Sequence, residues 1–287
     1  MSLFTEKYIE IGEQNIAYLE YSSQKTTAKT VVFIHGWMDN AASFHKQLSI
    51  IEQLQPNWRV LAIDLPGHGL STHKNGDHFY SFHDYIDDLH RVLVNLQAIN
   101  AILVGHSLGA LIASCYSAAF PDNVAGLVQI EAHFPIAESP EQSVTRLRKG
   151  VESRERWRKK SARALPSFDD AITMRMQATK LDLTSVRPIV ERDVKQVEGK
   201  WYWRHDSKLK CESVYRMSEP HAAAIMQAIV MPHLVILGRS GYRMLQNDAM
   251  LEKLHAAQIE WVEGDHHCHL ESPARVFELI SELVNKN

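Results

Sequence analysis

The chain of 287 residues has only three cysteines, Cys115, Cys211 and Cys268, an odd and widely scattered set. That excludes a disulfide framework and implies reduced thiols. Neither sign of charge is in excess: the formal net charge is -3, which points to no nucleic-acid partner and no acidic tail. Long apolar runs are missing too, so no segment is expected to span a bilayer and no membrane partner is implied. The opening Met1-Ser2-Leu3-Phe4-Thr5-Glu6 lacks a basic stretch followed by an apolar one, so no signal peptide is expected. Internal repeats and low-complexity segments are absent as well. These features together give the expectation of a cytoplasmic protein.

What is present is ordinary for a globular chain: 45% hydrophobic and 23% charged residues, enough for one large domain or a domain with an insertion. Residues 8–21 alternate apolar and polar around Gly12-Glu13-Gln14-Asn15 and predict an antiparallel hairpin at a sheet edge. Buried strands are expected at 30–34, 59–63, 101–104, 124–130, 232–238 and 259–262. Helices are expected at 43–54, 82–96, after Ser107, near 222–229, at 246–256 and at 274–284. Alternating strands and helices call for a mostly parallel sheet covered on both faces. Residues 136–217 differ, being dense in charge and helical in pattern, with Arg146, Arg148, Lys149, Arg154, Arg156, Arg158, Lys159 and Lys160 interleaved with Glu138, Glu141, Glu152 and Glu155. They read as a solvated helical insertion over the carboxyl edge of the sheet, a lid between core segments 1–135 and 218–287.

The chemistry centres on Ala101-Ile102-Leu103-Val104-Gly105-His106-Ser107-Leu108-Gly109. A buried strand that turns at once into a helix around one serine holds that serine in a strained conformation. Small residues at Gly105 and Gly109 let strand and helix approach. Ser107 is thereby the expected nucleophile, at a helix amino terminus that favours negative charge. A serine hydroxyl needs a base, and the base an orienting acid. Along such chains the order is nucleophile, acid, histidine. His266, His267 and His269, on the loop after the last strand, all qualify as the base.

Taken in order, His35-Gly36-Trp37, Asp64-Leu65-Pro66-Gly67-His68-Gly69, Gly105-His106-Ser107-Leu108-Gly109 and Gly264-Asp265-His266…Glu271-Ser272-Pro273 resemble the α/β-hydrolase superfamily, over about 8–134 and 222–284. The late His-His-Cys-His-Leu-Glu-Ser-Pro and the segment Gly199-Lys200-Trp201-Tyr202-Trp203-Arg204-His205-Asp206 look like its serine hydrolase-like group. The resemblance implies an α/β-hydrolase fold with an inserted helical lid, no cofactor, and His266 as the base. A metal site made of His266, His267, Cys268 and His269 would need four ligands from one tight loop, and none is expected.

The acid departs from the common pattern. Many relatives carry an aspartate in a Gly-x-x-Asp turn, which here reads Gly238-Arg239-Ser240-Gly241; the first acid downstream is Asp248. Glu131, a carboxylate at the carboxyl end of an otherwise apolar strand, resembles the acid position of some haloalkane dehalogenases. It is the expected triad acid, with Asp248 in reserve. An oxyanion hole needs two backbone N–H groups, expected from Leu108 and Trp37. His35 is expected to brace the loop beneath that hole, His106 to pack beside the elbow, and Cys268 to be incidental. Serine at the elbow argues against dehalogenase and epoxide-hydrolase chemistry. The expected reaction is hydrolysis of a small carboxylic ester through an acyl-enzyme, by a monomer or homodimer. Rival expectations are a carbon–carbon bond hydrolase or a cofactor-free peroxidase-like enzyme on the same triad, or a non-catalytic ligand-binding protein.

Overall fold

A computed structural model describes residues 3–23, 28–254 and 256–286. Strands β1 (Thr5–Ile11) and β2 (Gln14–Ser22) form the expected edge hairpin and pair antiparallel. β3 (Lys29–Ile34), helix α1 (His45–Leu54) and β4 (Trp58–Ile63) follow, then α2 (Phe82–Asn95), β5 (Ala101–His106), α3 (Leu108–Ala119) and β6 (Val124–Ile130). An excursion comes next: α4 (Ser143–Arg158), α5 (Phe168–Thr179), α6 (Leu183–Asp193) and a small hairpin of β7 (Val194–Val197) and β8 (Lys200–Trp203). The chain returns through α7 (Glu219–Gln227), β9 (His233–Gly238), α8 (Asp248–Leu251), β10 (Ala257–Val262), α9 (Cys268–Glu271) and α10 (Pro273–Lys286).

The sheet has eight strands in the order β1-β2-β4-β3-β5-β6-β9-β10. It is parallel from β4 to β10. The central parallel strands are mostly apolar because helices cover both faces: Val31, Phe33, Val60, Ile102, Val104, Val128 and Ile236 pack with α1 and α10, and Val32, Ile34, Leu61, Leu103, Leu127 and Val235 with α2, α3 and α7. Alternate residues of each strand feed the two layers. Among the described residues, no helix is long and apolar enough to cross a membrane.

Two expected helices are altered at their ends. The segment at 43–54 begins as a 3-10 turn, Ala41–Phe44, because the Asn40 side chain accepts the Ala42 N–H while Asp64 accepts that of Ala41. The helix expected over 246–256 is a 3-10 turn, Arg243–Gln246, followed by the single turn α8; the Asn247 side chain caps Met250 and restarts the helix. Position 255 of that expectation lies outside the described residues. Helix α4 buries only Gly150 and Ser153, so its basic residues are a solvated face, as expected.

The close approach of α3 to the sheet depends on two glycines. A Cβ on Gly105 would strike the backbone of Ala110, and one on Gly109 the carbonyl of Ile34. Gly109→Ala is therefore expected to cost about 1–3 kcal/mol of unfolding free energy, measured as a lower urea midpoint at unchanged slope. His233, buried at the start of β9 with Nε2 on Gln129 Oε1 at 2.8 Å, has its pKa pushed down by burial to about 4. It stays neutral when folded but is protonated when unfolded below about pH 6.5. Stability is thus full above that value and falls as pH drops towards 4, at up to about 1.4 kcal/mol per pH unit. His233→Gln should flatten that part of a stability–pH curve.

Candidate active site

Ser107 links β5 to α3 with φ 49 and ψ -117, a conformation unusual for any residue with a Cβ. Its own N–H is held by the Ile130 carbonyl at 2.9 Å, which ties the elbow to β6. The Leu108 N–H, the first in α3, lies where a helix offers no internal acceptor. The loop after β3 lies against the elbow: a Cβ on Gly36 would come within 3.2 Å of Ser107 Cβ and 3.0 Å of His106 Nδ1. Among the described residues, the Trp37 N–H has no hydrogen-bond partner. The Trp37 ring is not core; it is 52% exposed, and Nε1 donates to the Leu209 carbonyl of the inserted segment. His35 sits beneath as expected, with Nδ1 on Gly36 O at 2.7 Å and Nε2 accepting the Leu65 N–H at 2.9 Å. Burial lowers its pKa and keeps it neutral.

His266 stands on the loop after β10. The Gly264 φ of 126 turns this loop, Glu271 accepts the Asp265 N–H at 2.6 Å, and Ser272 Oγ donates to Glu263 O at 2.7 Å. His266 reaches the elbow through its carbonyl, 2.8 Å from His106 Nε2, and the two rings are 4.9 Å apart. The Tyr242 ring lies over the imidazole at 4.2 Å.

The partner of His266 Nδ1 is Glu131 Oε2, at 3.3 Å. Glu131 follows β6 in a left-handed turn, φ 52, and is 2% exposed. Its Oε1 accepts the Gly238 N–H at 2.7 Å and its Oε2 the Tyr242 N–H at 3.4 Å. A side chain at Gly241 would strike this carboxylate. The Gly238-Arg239-Ser240-Gly241 turn, which lacks an acid, thus supplies one N–H, from Gly238, and the next residue, Tyr242, a second, to an acid arriving from β6. Asp248 is exposed on the first turn of α8. Cys268 is buried, and burial pushes its thiol well above the usual range, so it is inert as a nucleophile.

Sequence reasoning missed Asp39 and Arg175. Asp39, 2% exposed, follows Met38 at φ 63 and pairs with Arg175 of α5, which also donates to Met38 O at 2.9 Å. Burial alone would raise the Asp39 carboxyl; Arg175 and the rings of His267 and His106 outweigh it and hold it far below the usual carboxylate range. Asp39 is the first acid after His35-Gly36-Trp37, a visible signal, whereas nothing in the sequence singles out Arg175. A second pair joins Arg192 of α6 to Asp64, at 2.9 Å. In the inserted segment Trp157, Tyr202 and Trp203 line a cavity of about 960 Å³ together with Lys195 and Lys210; none of Ser107, His266 and Glu131 lines it.

An elbow serine, a histidine after the last strand and a buried carboxylate on its Nδ1 are the parts of a nucleophilic hydrolase. Residues 29–238 match the alpha/beta hydrolase fold family, and the chain belongs to it. It is similar to the serine hydrolase-like protein of Danio rerio, 25% identical over 89% of this chain and 81% of the relative. The serine hydrolase-like protein of Mus musculus is 26% identical over 99% and 96%. Among solved structures, a thioesterase domain from the curacin biosynthetic pathway superposes with a TM-score of 0.84 at 22% identity, covering 96% of this chain and 99% of that one.

Arg175→Met should leave Asp39 buried without its countercharge and lower the unfolding free energy by about 3–5 kcal/mol. Because the Asp39 pKa is depressed in the fold, the pair contributes fully above about pH 4 and its contribution is lost as pH falls below that. Denaturant titrations at pH 7 and pH 3 check both: the gap between wild type and Arg175→Met should narrow in acid.

Proposed function

We propose that the protein is a serine esterase that hydrolyses small carboxylic esters through an acyl-enzyme on Ser107. The observation that carries this reading is the 3.3 Å contact between His266 Nδ1 and the buried Glu131, on a loop braced against the nucleophile elbow. With Nδ1–H directed at Glu131, the imidazole presents Nε2 as a base. His266 Nε2 takes the Ser107 hydroxyl proton as Oγ attacks the ester carbonyl carbon. The resulting oxyanion is held by the N–H groups of Leu108 and Trp37. Collapse breaks the carbon–oxygen bond, and the alcohol leaves with the proton from His266. Water then attacks the acyl carbon, giving its proton to His266; Ser107 recovers a proton as the acid departs. Glu131 orients the ring and stabilises its charged form throughout.

Residues 136–217 act in this scheme as a lid on a core of 1–135 and 218–287. Support comes from the contacts of Arg175, Arg192 and Leu209 with the loops that follow β3 and β4. The reaction needs no cofactor.

A p-nitrophenyl ester series of increasing acyl length tests the proposal. Short esters should turn over in the wild type. Ser107→Ala and His266→Ala should lose about 10^6-fold in kcat, Glu131→Gln about 10^4-fold, and Asp248→Asn essentially nothing. Turnover that survives Ser107→Ala would end the acyl-enzyme scheme. A wild type inert towards every ester would shift the search to carbon–carbon bond hydrolysis or to ligand binding without turnover.

A further inference from the structure

Behind the elbow lies a second group of titratable side chains that the hydrolytic scheme does not use. His106 Nδ1 and Asp39 Oδ2 are 3.8 Å apart, and His267 Nε2 is 3.5 Å from the same oxygen. The three atoms all lie within 4.8 Å of one another. His269, fully buried, packs beside them with its ring tilted, 4.2 Å from that of His106 and 5.9 Å from that of His267. We propose that Asp39, His106 and His267 form a binding site for one divalent transition-metal cation of the zinc type, with its fourth position beside His269.

The tautomer of His106 carries the first part of the case. Its Nε2 is 2.8 Å from the His266 carbonyl, which can only accept, so Nε2 bears the proton. A neutral imidazole carries a single N–H. Nδ1 is therefore a bare lone pair, 1% exposed as a residue, with no hydrogen-bond partner among the described residues. It faces a carboxylate oxygen that is also only an acceptor. Two buried acceptors set against each other are unfavourable unless a donor or a cation lies between them.

Geometry and chemistry select the cation. Atoms at these separations leave a point within about 2.4 Å of all three, a few tenths beyond zinc bonds of about 2.0–2.2 Å. Two imidazoles with one carboxylate suit zinc-like ions and disfavour magnesium and calcium, which take oxygen donors. The surroundings are those of a ligand shell already oriented from outside. His106 gives its other N–H to a backbone carbonyl, and Arg175 holds the other oxygen of Asp39. His267 is 12% exposed at its side chain, which leaves a route from solvent. A bound cation would pin together the loop after β3, the elbow and the loop that carries His266.

The test counts metal rather than turnover, so its outcome is independent of the ester reading. The full chain is stripped with chelator, incubated with Zn²⁺, Co²⁺ or Mg²⁺, desalted and analysed by mass spectrometry. About one equivalent of zinc should be retained and no magnesium, and Co²⁺ should develop the strong visible bands of a tetrahedral nitrogen–oxygen site. His267→Gln should abolish both signals while its metal-free circular dichroism and thermal melt stay those of the wild type. His106→Gln provides the second variant should His267→Gln melt early. No retained zinc in the wild type, as expected if water alone bridges the acceptors, would overturn the proposal. So would equal retention in His267→Gln, which would place the metal on other histidines.

Discussion

A backbone turned through φ 49 and ψ -117 at a residue with a Cβ is the constraint on which the site depends. Such a conformation costs about 1–3 kcal/mol and persists only when its surroundings enforce it. Here the enforcement comes from three sides. β5 is locked between β3 and β6, the Ile130 carbonyl takes the Ser107 N–H, and Gly105 and Gly109 let α3 begin immediately above the strand. With the elbow fixed, Gly36 lies against it, and so the loop after β3 packs beside the serine. The eight-stranded sheet, with apolar layers on both faces, is what makes this strain tolerable.

The same edge of the sheet gathers buried charge. Asp39 lies in the loop after β3 and Asp64 directly follows β4, and each meets one arginine from the excursion between β6 and β9: Arg175 from α5 and Arg192 from α6. A buried carboxylate without a partner is costly, and a paired one gives little net stability but strong positional preference. The excursion also has its own small core of Leu165, Ile172, Val186, Ile189 and Val190. Charge density that reads along the sequence as a solvated surface thus contains two partly buried cations.

Much of this was legible in the residues. Period-two edge strands, mostly apolar central strands and the Gly-x-Ser-x-Gly turn specify parallel sheet and elbow through local sterics alone. The position of Glu131 was legible too, because a lone carboxylate ending an apolar strand must find partners; the structure supplies Gly238, Tyr242 and His266. Long-range pairing was not legible. Arg175 and Arg192 sit among many similar arginines, and only the tertiary fold distinguishes the two that reach Asp39 and Asp64. Nor could spacing show that His106 faces Asp39, since the residues are far apart in sequence and meet only where β3 and β5 lie side by side. The helix expected at 246–256 failed for a local reason: Asn247 competes for the backbone and restarts the turn.

With its carboxylate on β6, the site draws Ser107 and Glu131 from one β–α–β unit, and only His266 comes from the far end of the chain. Ser107 and Glu131 are fixed by the pairing of the neighbouring strands β5 and β6, whereas His266 meets Glu131 across a separation of 135 residues. A local distortion of the loop after β10 would therefore displace the imidazole and leave the serine and the carboxylate where they are.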